Sequence, residues 1–501
     1  MSPKKLNLKD KYKLLTRDLD WEFSYEDRKE AFPYEEFEGI KITDWDKWED
    51  PFRLTMESYW KYQAEKEKKL YAIYDAFAQN NGQTNVTDAR YVNALKLFLT
   101  GVSPGEHAAH LGFAFTGRQM GGIGARVAAQ MQSIDELRHI QTQIHAMSHY
   151  NKFFDGFDEF NHMHDRLWYL SVPKSFFEDA RTAGPFEFMI AIGFSFEYVL
   201  TNLLFVPFMS GAAYNGDMAT VTFGFSAQSD EARHMTLGLE IIKFLLEQHE
   251  DNLPIVQKWL DKWLWRGYRL LTLVAMMMDY MLPQKFMSWK EAWELYFEDA
   301  GGALFKDLER YGIKMPDFTE TIKNEKDHIS HQAWWVFYSF GHAAAFHTWT
   351  PTAEELDWLS EKYPDTFDQY YRPRLEAAAE LEAKGERFYT AGLPQLCQTC
   401  QIPMFFTNVD EGKPTEIVYR ESTYNDERFH FCSNECKHIF DREPEKYVHA
   451  WLPVHQIFQG NCGGGGLDEV MEYYRMGLGE MNLDYKGSPD EKRWKKWKGV
   501  A

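Results

Sequence analysis

Between residues 86 and 345 the chain repeats apolar residues at intervals of three and four positions, which is the spacing of one face of a helix. The longest stretches with this spacing are ARYVNALKLFLTGV, IGARVAAQMQSIDELRHIQTQIHAMSHY and TVTFGFSAQSDEARHMTLGLEIIKFLLEQ. Alternating β-branched runs, which would indicate strands, are scarce before residue 390. The pattern therefore predicts an all-α core over residues 86–345.

The pattern changes on both sides of this core. Residues 1–85 are charged and rich in Trp and Tyr, and we expect an arm with short helices that contacts other subunits. We expect residues 346–390 to form a helical connector. Residues 391–460 combine four cysteines with short strand-like runs and turns, which is typical of a small metal-binding module, and residues 461–501 predict a C-terminal tail.

Composition narrows the class of protein. The 501 residues carry 76 acidic and 55 basic side chains, a net charge of −21, which disfavours binding to nucleic acid or to an anionic membrane. The apolar stretch of residues 188–209 is long enough to span a membrane, but Glu197 at its middle would be costly in lipid, so we expect a buried core helix. The N-terminus shows no export signal and cysteines are few, which favours the cytoplasm.

One pentapeptide, D-E-x-R-H, occurs twice, at residues 135–139 and 230–234. In each copy a glutamate and a histidine are three residues apart, so on a helix they lie on the same side. Another glutamate in an apolar setting precedes each copy at a similar distance. The glutamates and histidines of this repeated set are Glu106, Glu136, His139, Glu197, Glu231 and His234.

Four carboxylates and two imidazoles suit a pair of divalent ions, because two such ions neutralise four buried negative charges. In a four-helix bundle this is the di-iron or di-manganese arrangement. Asp135 and Asp230 would accept the imidazole N–H groups and so fix the histidine tautomers. The alternatives are a solvated Glu–His pair for each motif taken singly and surface helix charge for the two aspartates.

A second set of metal-ligand residues lies near the C-terminus. It consists of Cys397, Cys400, Cys432 and Cys436. Two close pairs of cysteines suit a closed tetrahedral zinc site without an open catalytic position. A redox pair or an iron–sulfur cluster is the alternative, and the fifth cysteine, Cys462, is expected to be a small buried residue.

At these motifs, and in the segment FSFEYVLTN, the sequence resembles the hydroxylase α subunit of bacterial multicomponent diiron monooxygenases. The cysteine-bearing module resembles a YHS-type unit, which favours the phenol hydroxylase branch of that family. The resemblance implies a ferritin-like four-helix-bundle diiron core with additional helices and a small C-terminal zinc module. The cofactors would be two iron ions and one structural zinc ion.

The resemblance also implies roles for individual residues. Glu106, Glu136 and His139 would bind one iron, and Glu197, Glu231 and His234 the other. Thr201 would assist O₂ activation, or would alternatively bond its own helix, while Asn202 and Gln228 would gate a pore. The residues implied to line the substrate pocket, each also compatible with ordinary core packing, are Val102, Ala109, Gln143, Phe176, Ile192 and Phe196.

The expected reaction is O₂-dependent hydroxylation of phenol or a related aromatic compound, with the second oxygen atom leaving as water. The chain shows no glycine-rich dinucleotide motif and no cysteine pattern for a 2Fe–2S cluster, so electrons must come from elsewhere. The resemblance implies a separate reductase with NADH, FAD and a 2Fe–2S cluster. It also implies a small regulatory protein, and β and γ subunits in an (αβγ)₂ assembly.

Other members of the diiron class are alternatives. A toluene or alkene monooxygenase α subunit would carry the same motifs. A ribonucleotide reductase radical subunit would place a tyrosine four residues after its first histidine ligand, where this chain has Gln143. An acyl-carrier-protein desaturase or a non-enzymatic iron-binding protein is expected to be shorter.

Overall fold

The computed structural model describes residues 5–18, 24–154, 157, 168–283, 287–340, 348–386, 395–404, 409, 412–416, 420–450, 460 and 469. Cys462 and, apart from residue 469, the predicted tail at 461–501 lie outside the described residues.

The longer helices are α1 (Met56–Gln79), α2 (Ala89–Gln119), α3 (Ile123–Tyr150), α4 (Ser171–Arg181), α5 (Pro185–Tyr214), α6 (Met218–Gln248), α7 (Asn252–Leu270), α8 (Ile329–Phe340), α9 (Ala353–Lys362), α10 (Arg372–Ala383) and α11 (Asn434–Arg442). Shorter α-helical segments are Leu8–Lys13, Arg28–Ala31, Tyr34–Phe37, Thr272–Met276, Trp289–Trp293, Gly302–Leu308, Thr319–Glu325, Phe367–Tyr370 and Pro444–Tyr447. Single 3₁₀ turns are Trp45–Lys47, Gly82–Asn85, Trp168–Leu170 and Glu309–Tyr311, and π-helical segments are Leu14–Asp18, Met189–Leu200, Met277–Met281 and Glu294–Gly301. Two antiparallel strands, β1 (Arg420–Tyr424) and β2 (Glu427–Phe431), form a hairpin.

Two helix pairs form the core. Helix α2 packs along α3, and α5 packs along α6, while α3 also contacts α6. The first D-E-x-R-H motif lies within α3 and the second within α6, so the contact between these two helices brings the motifs together. The all-α architecture predicted from the apolar periodicity is confirmed.

Helix α1 is the main departure from the expected arm with short helices. It spans 24 residues and packs against α6 and α3. Thr55 caps its N-terminus by accepting a hydrogen bond from the backbone N–H of Ser58. Its buried face is narrow and half polar, comprising Tyr59, Gln63, Leu70 and Tyr74. A narrow, partly polar face gives a weak apolar periodicity, which explains why the sequence did not predict this helix.

Helix α5 contains a π-helical segment, Met189–Leu200, and Glu197 lies in this segment. Among the described helices, α5 alone is long and apolar enough to cross a membrane, but 78% of its most apolar window is buried within the fold. It is therefore a core helix, as predicted for this stretch. A Cβ atom at Gly238 of α6 would lie 2.2 Å from the Gly193 carbonyl oxygen, so glycine at position 238 allows the close approach of α6 to the π-helical segment.

Helix α7 lies between the bundle and the C-terminal module. It packs against the π-helical segment of α5, and its Trp265 indole N–H donates to the Sγ of Cys436, 3.2 Å away. Within the described part of the module, the hairpin β1–β2 packs against helix α11. One helix thus contacts both the element that carries Glu197 and the cysteine cluster.

Candidate active site

The six predicted glutamates and histidines converge from four helices. Helix α2 supplies Glu106, α3 supplies Glu136 and His139, α5 supplies Glu197, and α6 supplies Glu231 and His234. Five of these side chains are fully buried, and Glu106 is nearly so.

Glu136 lies between the two histidines. Its Oε2 is 3.3 Å from His139 Nδ1 and its Oε1 is 3.3 Å from His234 Nδ1. Glu106 Oε2 approaches His139 Nδ1 to 3.4 Å, and Glu231 Oε2 approaches His234 Nδ1 to 3.5 Å. The ligand-type atoms therefore form two groups that share Glu136.

Glu197 lies beside the second group rather than within it. Its Oε2 accepts a hydrogen bond from Gln132 Nε2 at 2.7 Å, and the same amide approaches Glu136 Oε1 at 3.4 Å. A buried carboxylate needs a hydrogen-bond donor, and the Gln132 amide supplies one. Sequence reasoning did not single out Gln132, although its position four residues before Glu136 places it on the same face of α3.

The two motifs support each other's histidines. His139 Nε2 is 3.2 Å from Asp230 Oδ2, and His234 Nε2 is 3.2 Å from Asp135 Oδ2. Each aspartate thus holds the imidazole of the other motif. In this arrangement the histidine Nε2 carries the proton and donates it to the aspartate. Both Nδ1 atoms, together with Glu231 Oε2, are buried and make no hydrogen bond.

The buried carboxylates of the site shift one another's pKa values and that of His139. Burial raises the pKa of Glu136 and of Glu197 well above the ordinary value, and the neighbouring carboxylates raise both further. Burial opposes the charged form of His139, but Glu106, Asp230 and Glu136 together raise its pKa well above the ordinary value. The close approach of these buried carboxylates therefore favours a positive charge at the centre of the cluster.

Helix α1 adds residues that sequence reasoning missed. Gln63 Nε2 donates to Asp135 Oδ1 at 2.9 Å and to Asp230 Oδ1 at 2.8 Å, so one amide joins the two aspartates. The Tyr59 hydroxyl donates to Asp135 Oδ1 at 2.7 Å, and Lys66 Nζ lies 2.5 Å from Asp230 Oδ2. The sequence around α1 gave no local signal for binding these aspartates, because Asp135 and Asp230 lie on two other helices, α3 and α6.

An apolar cavity of about 80 Å³ adjoins the cluster, which is room for several water molecules. Four glutamates reach its wall, namely Glu106, Glu136, Glu197 and Glu231. Four of the six predicted pocket residues line it, namely Val102, Ala109, Ile192 and Phe196. Its other lining residues are Leu97, Phe98, Gly101, Gly105, Leu170, Pro173, Phe177, Thr201, Leu204, Phe205, Leu270, Leu273, Val274 and Met277.

The other two predicted pocket residues lie behind the wall. The Phe176 ring packs against Phe196 with centroids 5.2 Å apart, so it supports a lining residue instead of lining the cavity. Gln143 accepts a hydrogen bond from Ser103 and donates to Glu106 Oε1 at 3.3 Å. Gln143 therefore positions a glutamate of the cluster.

Thr201 lines the cavity, and its hydroxyl donates to the Phe196 carbonyl oxygen at 3.1 Å. This carbonyl is five residues earlier, not four, because the segment that ends at Leu200 is π-helical. Gln228 Nε2 donates to Asn202 Oδ1 at 3.1 Å, and neither residue belongs to the cavity wall. A gating role for this pair stays a prediction.

The four cysteines meet at the junction of α7 and the module. The Sγ of Cys432 is 3.6 Å from the Sγ of Cys400 and 3.6 Å from that of Cys436. All four ligand atoms lie within 4.8 Å of one another. A tetrahedral ion with bonds of about 2.3 Å separates its sulfur ligands by about 3.8 Å, so the cluster has the size of a zinc site.

Backbone contacts fix this cluster. The Cys397–Cys400 segment forms a tight turn, in which Gln401 N–H donates to the Cys397 carbonyl oxygen at 2.9 Å and adopts a left-handed φ of 59°. Burial raises the pKa of the Cys400 and Cys432 thiols. Burial also opposes the Cys436 thiolate, but hydrogen bonds from the other cysteines lower its pKa well below the ordinary value.

A helical bundle with lone glutamates on two helices and a Glu-x-x-His pair on each of two others defines the class of ferritin-like carboxylate proteins. Residues 21–249 match the methane/phenol/alkene hydroxylase family, and residues 409–451 match the YHS domain.

Individual relatives agree with the family match. The chain is 69% identical, over 99% of its length and 96% of the relative, to the oxygenase component DmpN of phenol 2-monooxygenase from Pseudomonas sp. (strain CF600). It is 29% identical, over 94% of both chains, to the oxygenase subunit alpha of the alkene monooxygenase system from Xanthobacter autotrophicus. The crystal structure of xenon-pressurized phenol hydroxylase from Pseudomonas sp. OX1 superposes with a TM-score of 0.93 at 69% identity, over 98% of this chain and 100% of that one.

The chain belongs to the methane/phenol/alkene hydroxylase family and is a monooxygenase. The resemblances to the family and to a YHS unit, inferred from the motifs, are confirmed.

Proposed function

We propose that this chain is the oxygenase component of a phenol hydroxylase. It transfers one oxygen atom of O₂ to a ring C–H bond of phenol or a related aromatic compound, and the second atom leaves as water. The observation that carries the proposal is the buried glutamate–histidine cluster, whose two imidazole Nδ1 atoms are without hydrogen bonds beside an apolar cavity.

The side chains fit a pair of iron ions. Glu106, Glu136 and His139 would bind one iron, and Glu231 and His234 the other, with Glu136 also within 3.3 Å of His234 Nδ1. Glu197 would reach the second iron by exchanging its hydrogen bond with Gln132 for a metal bond. Two bound irons would neutralise the charge that raises the carboxyl pKa values, and they would supply the redox chemistry that activates O₂.

The chain's own residues orient the substrate and control water and protons. The cavity wall is mostly aliphatic and aromatic, so it favours an apolar ring and excludes bulk water from the reacting atoms. The Thr201 hydroxyl is a polar hydrogen-bonding group on this wall outside the glutamates, so it would hold a proton at the cavity beside the cluster. Asp135 and Asp230 keep both imidazole N–H groups away from the ligand side.

The four cysteines would hold a structural zinc ion. Their Sγ spacing, their enclosure and the Trp265 indole contact leave no position for a substrate. Zinc at this place would fix the module against α7, and through α7 against the helix that carries Glu197.

Electrons would reach the site from NADH through a separate reductase that carries FAD and a 2Fe–2S cluster. The relatives named above are described as components or subunits of larger systems, which supports β and γ subunits in an (αβγ)₂ assembly and a small regulatory protein. We place this assembly in the cytoplasm.

The proposal is tested with the purified hydroxylase complex, its reductase and its regulatory protein. We expect two irons and one zinc per chain, and phenol-dependent oxidation of NADH with one atom from ¹⁸O₂ in the hydroxylated product. Toluene and propene serve as competing substrates, since the alkene system relative favours a small alkene as the second candidate. A complex with two irons that consumes toluene or propene but not phenol would contradict phenol as the substrate, and product without ¹⁸O would contradict the reaction.

A further inference from the structure

Two histidines and an aspartate meet on the outer side of α1 and α3, away from the active site. His145 and His149 are one turn apart on α3, and Asp75 lies opposite them on α1. His145 Nε2 is 3.3 Å from His149 Nε2 and 3.5 Å from Asp75 Oδ1. All three side chains are partly accessible to solvent.

We propose that Asp75, His145 and His149 bind a divalent transition-metal ion such as Zn²⁺. Ligand bonds of 2.0–2.1 Å in a tetrahedral site separate the ligand atoms by about 3.3–3.4 Å, which matches the two separations in this cluster. A single proton on His145 Nε2 can serve only one of its two neighbouring acceptors. A cation at the centre contacts all three ligand atoms at once.

Aromatic packing orients the histidine rings before any ion binds. The Tyr71 and His145 rings form a T-shaped pair, with centroids 4.9 Å apart at 84°. The His149 ring is perpendicular to that of His145, with centroids 4.8 Å apart at 85°. Because the rings are already oriented, metal binding would cost little side-chain entropy.

The chemistry of the ligands selects the class of ion. Two imidazoles and one carboxylate favour Zn²⁺, Cu²⁺, Ni²⁺ or Co²⁺ over Mg²⁺ and Ca²⁺, which prefer oxygen ligands. Asp75 is the most exposed of the three, so a fourth position remains for water. The ion would connect α1, which carries Gln63, to α3, which carries Glu136 and His139. Its occupancy would therefore stabilise the packing of α1 on the bundle.

The test uses the whole hydroxylase complex with its iron and zinc in place, dialysed against ZnCl₂. We expect one further zinc per chain in the wild type and a rise in Tm that depends on zinc concentration. His149→Ala and Asp75→Asn should each weaken this binding by at least the 10–100-fold that loss of an outer-sphere contact causes. With Cu²⁺ in place of Zn²⁺, the EPR spectrum should show coupling to two imidazole nitrogens, which His149→Ala reduces to one.

His249→Ala is the matched control. His249 Nδ1 also lies near a carboxylate, 3.6 Å from Asp251 Oδ2, but the structure describes no second imidazole beside it. This variant should bind the further zinc as the wild type does. The proposal is overturned if the wild-type complex takes up no further zinc, or if Asp75→Asn, a change at an exposed side chain, binds it as tightly as the wild type. Neither result depends on phenol hydroxylation.

Discussion

The glutamate–histidine cluster and the four-cysteine cluster are both buried sets of metal-ligand side chains, but their surroundings differ. The first borders an apolar cavity, and its four glutamates reach the wall of that cavity. The second is enclosed by the Cys397–Cys400 turn, by β2 and α11, and by Trp265 of α7. One cluster has an open side, and the other is closed.

This difference in enclosure indicates a chemical role for the glutamate–histidine cluster and a structural role for the cysteine cluster. Long helices bring distant residues together beside an apolar cavity, which leaves this cluster open on one side. A short turn and a hairpin can surround an ion completely, which stabilises structure but leaves no room for chemistry. Helix α7 contacts both regions, so damage to the closed cluster should reach the open one only through packing.

The largest effect is expected at the open cluster. His234→Ala should reduce iron toward one or none per chain and lower activity by more than about 100-fold, since even outer-sphere contacts contribute 10–100-fold. Iron analysis and phenol turnover measure the two effects. Glu240→Ala on the same helix is the control, because Glu240 forms an i,i+3 ion pair with Lys243 away from the cluster. Retention of two irons by His234→Ala would contradict the ligand assignment.

The second effect concerns the closed cluster. Replacing Cys397 and Cys436 together by serine should remove zinc and lower the Tm of the complex by several degrees. Because the cysteine cluster contacts α7 and not the glutamate–histidine cluster, the diiron absorption spectrum expected for the latter should remain recognisable. Cys462→Ser, at the cysteine outside the predicted cluster, should keep zinc. Zinc retained by the double variant would refute the four-thiolate site. Complete loss of iron would contradict the expectation that the two clusters bind their ions independently.

The two regions also differ in what the sequence could predict. Both D-E-x-R-H motifs and the four cysteines have local spacings, and the structure brings each set together. The crossed pairing of Asp135 with His234 has no local signal, because it depends on how α3 docks on α6. The π-helical segment was also missed, since one extra residue per turn shifts the apolar pattern only slightly.

Gln63 offers a sharper test of how the open cluster is held. Gln63→Leu removes the amide that joins Asp135 to Asp230, so two buried carboxylates lose a shared donor. We expect iron affinity or activity to fall by about 10–100-fold, with zinc unchanged. The control is Gln79→Leu, the same change at an exposed position on α1. Equal iron retention in both variants, measured against a chelator series, would show that the Gln63 amide does not support the site.

The smallest effect is a pH dependence at the start of α5. Glu38 accepts hydrogen bonds from the backbone N–H groups of Phe186 at 3.2 Å and Glu187 at 2.8 Å. Burial raises the pKa of Glu38 from 4.5 to about 8. Between these values the native carboxyl binds a proton that the unfolded chain releases, so its contribution to stability is present at low pH and falls as pH rises toward 8.

Glu38→Gln imitates the protonated carboxyl and should lack this dependence. The Tm of the variant minus that of the wild type should therefore increase by about 2 °C or more between pH 5 and pH 8. Glu36→Gln, at an exposed side chain of the same segment, should give a constant difference. Because Glu38 contacts the helix that carries Glu197, the change should affect unfolding of the bundle while zinc release from the cysteine cluster stays the same. A Tm difference that does not change with pH would show that Glu38 is ionised in the native chain, since the N-terminus of α5 favours negative charge.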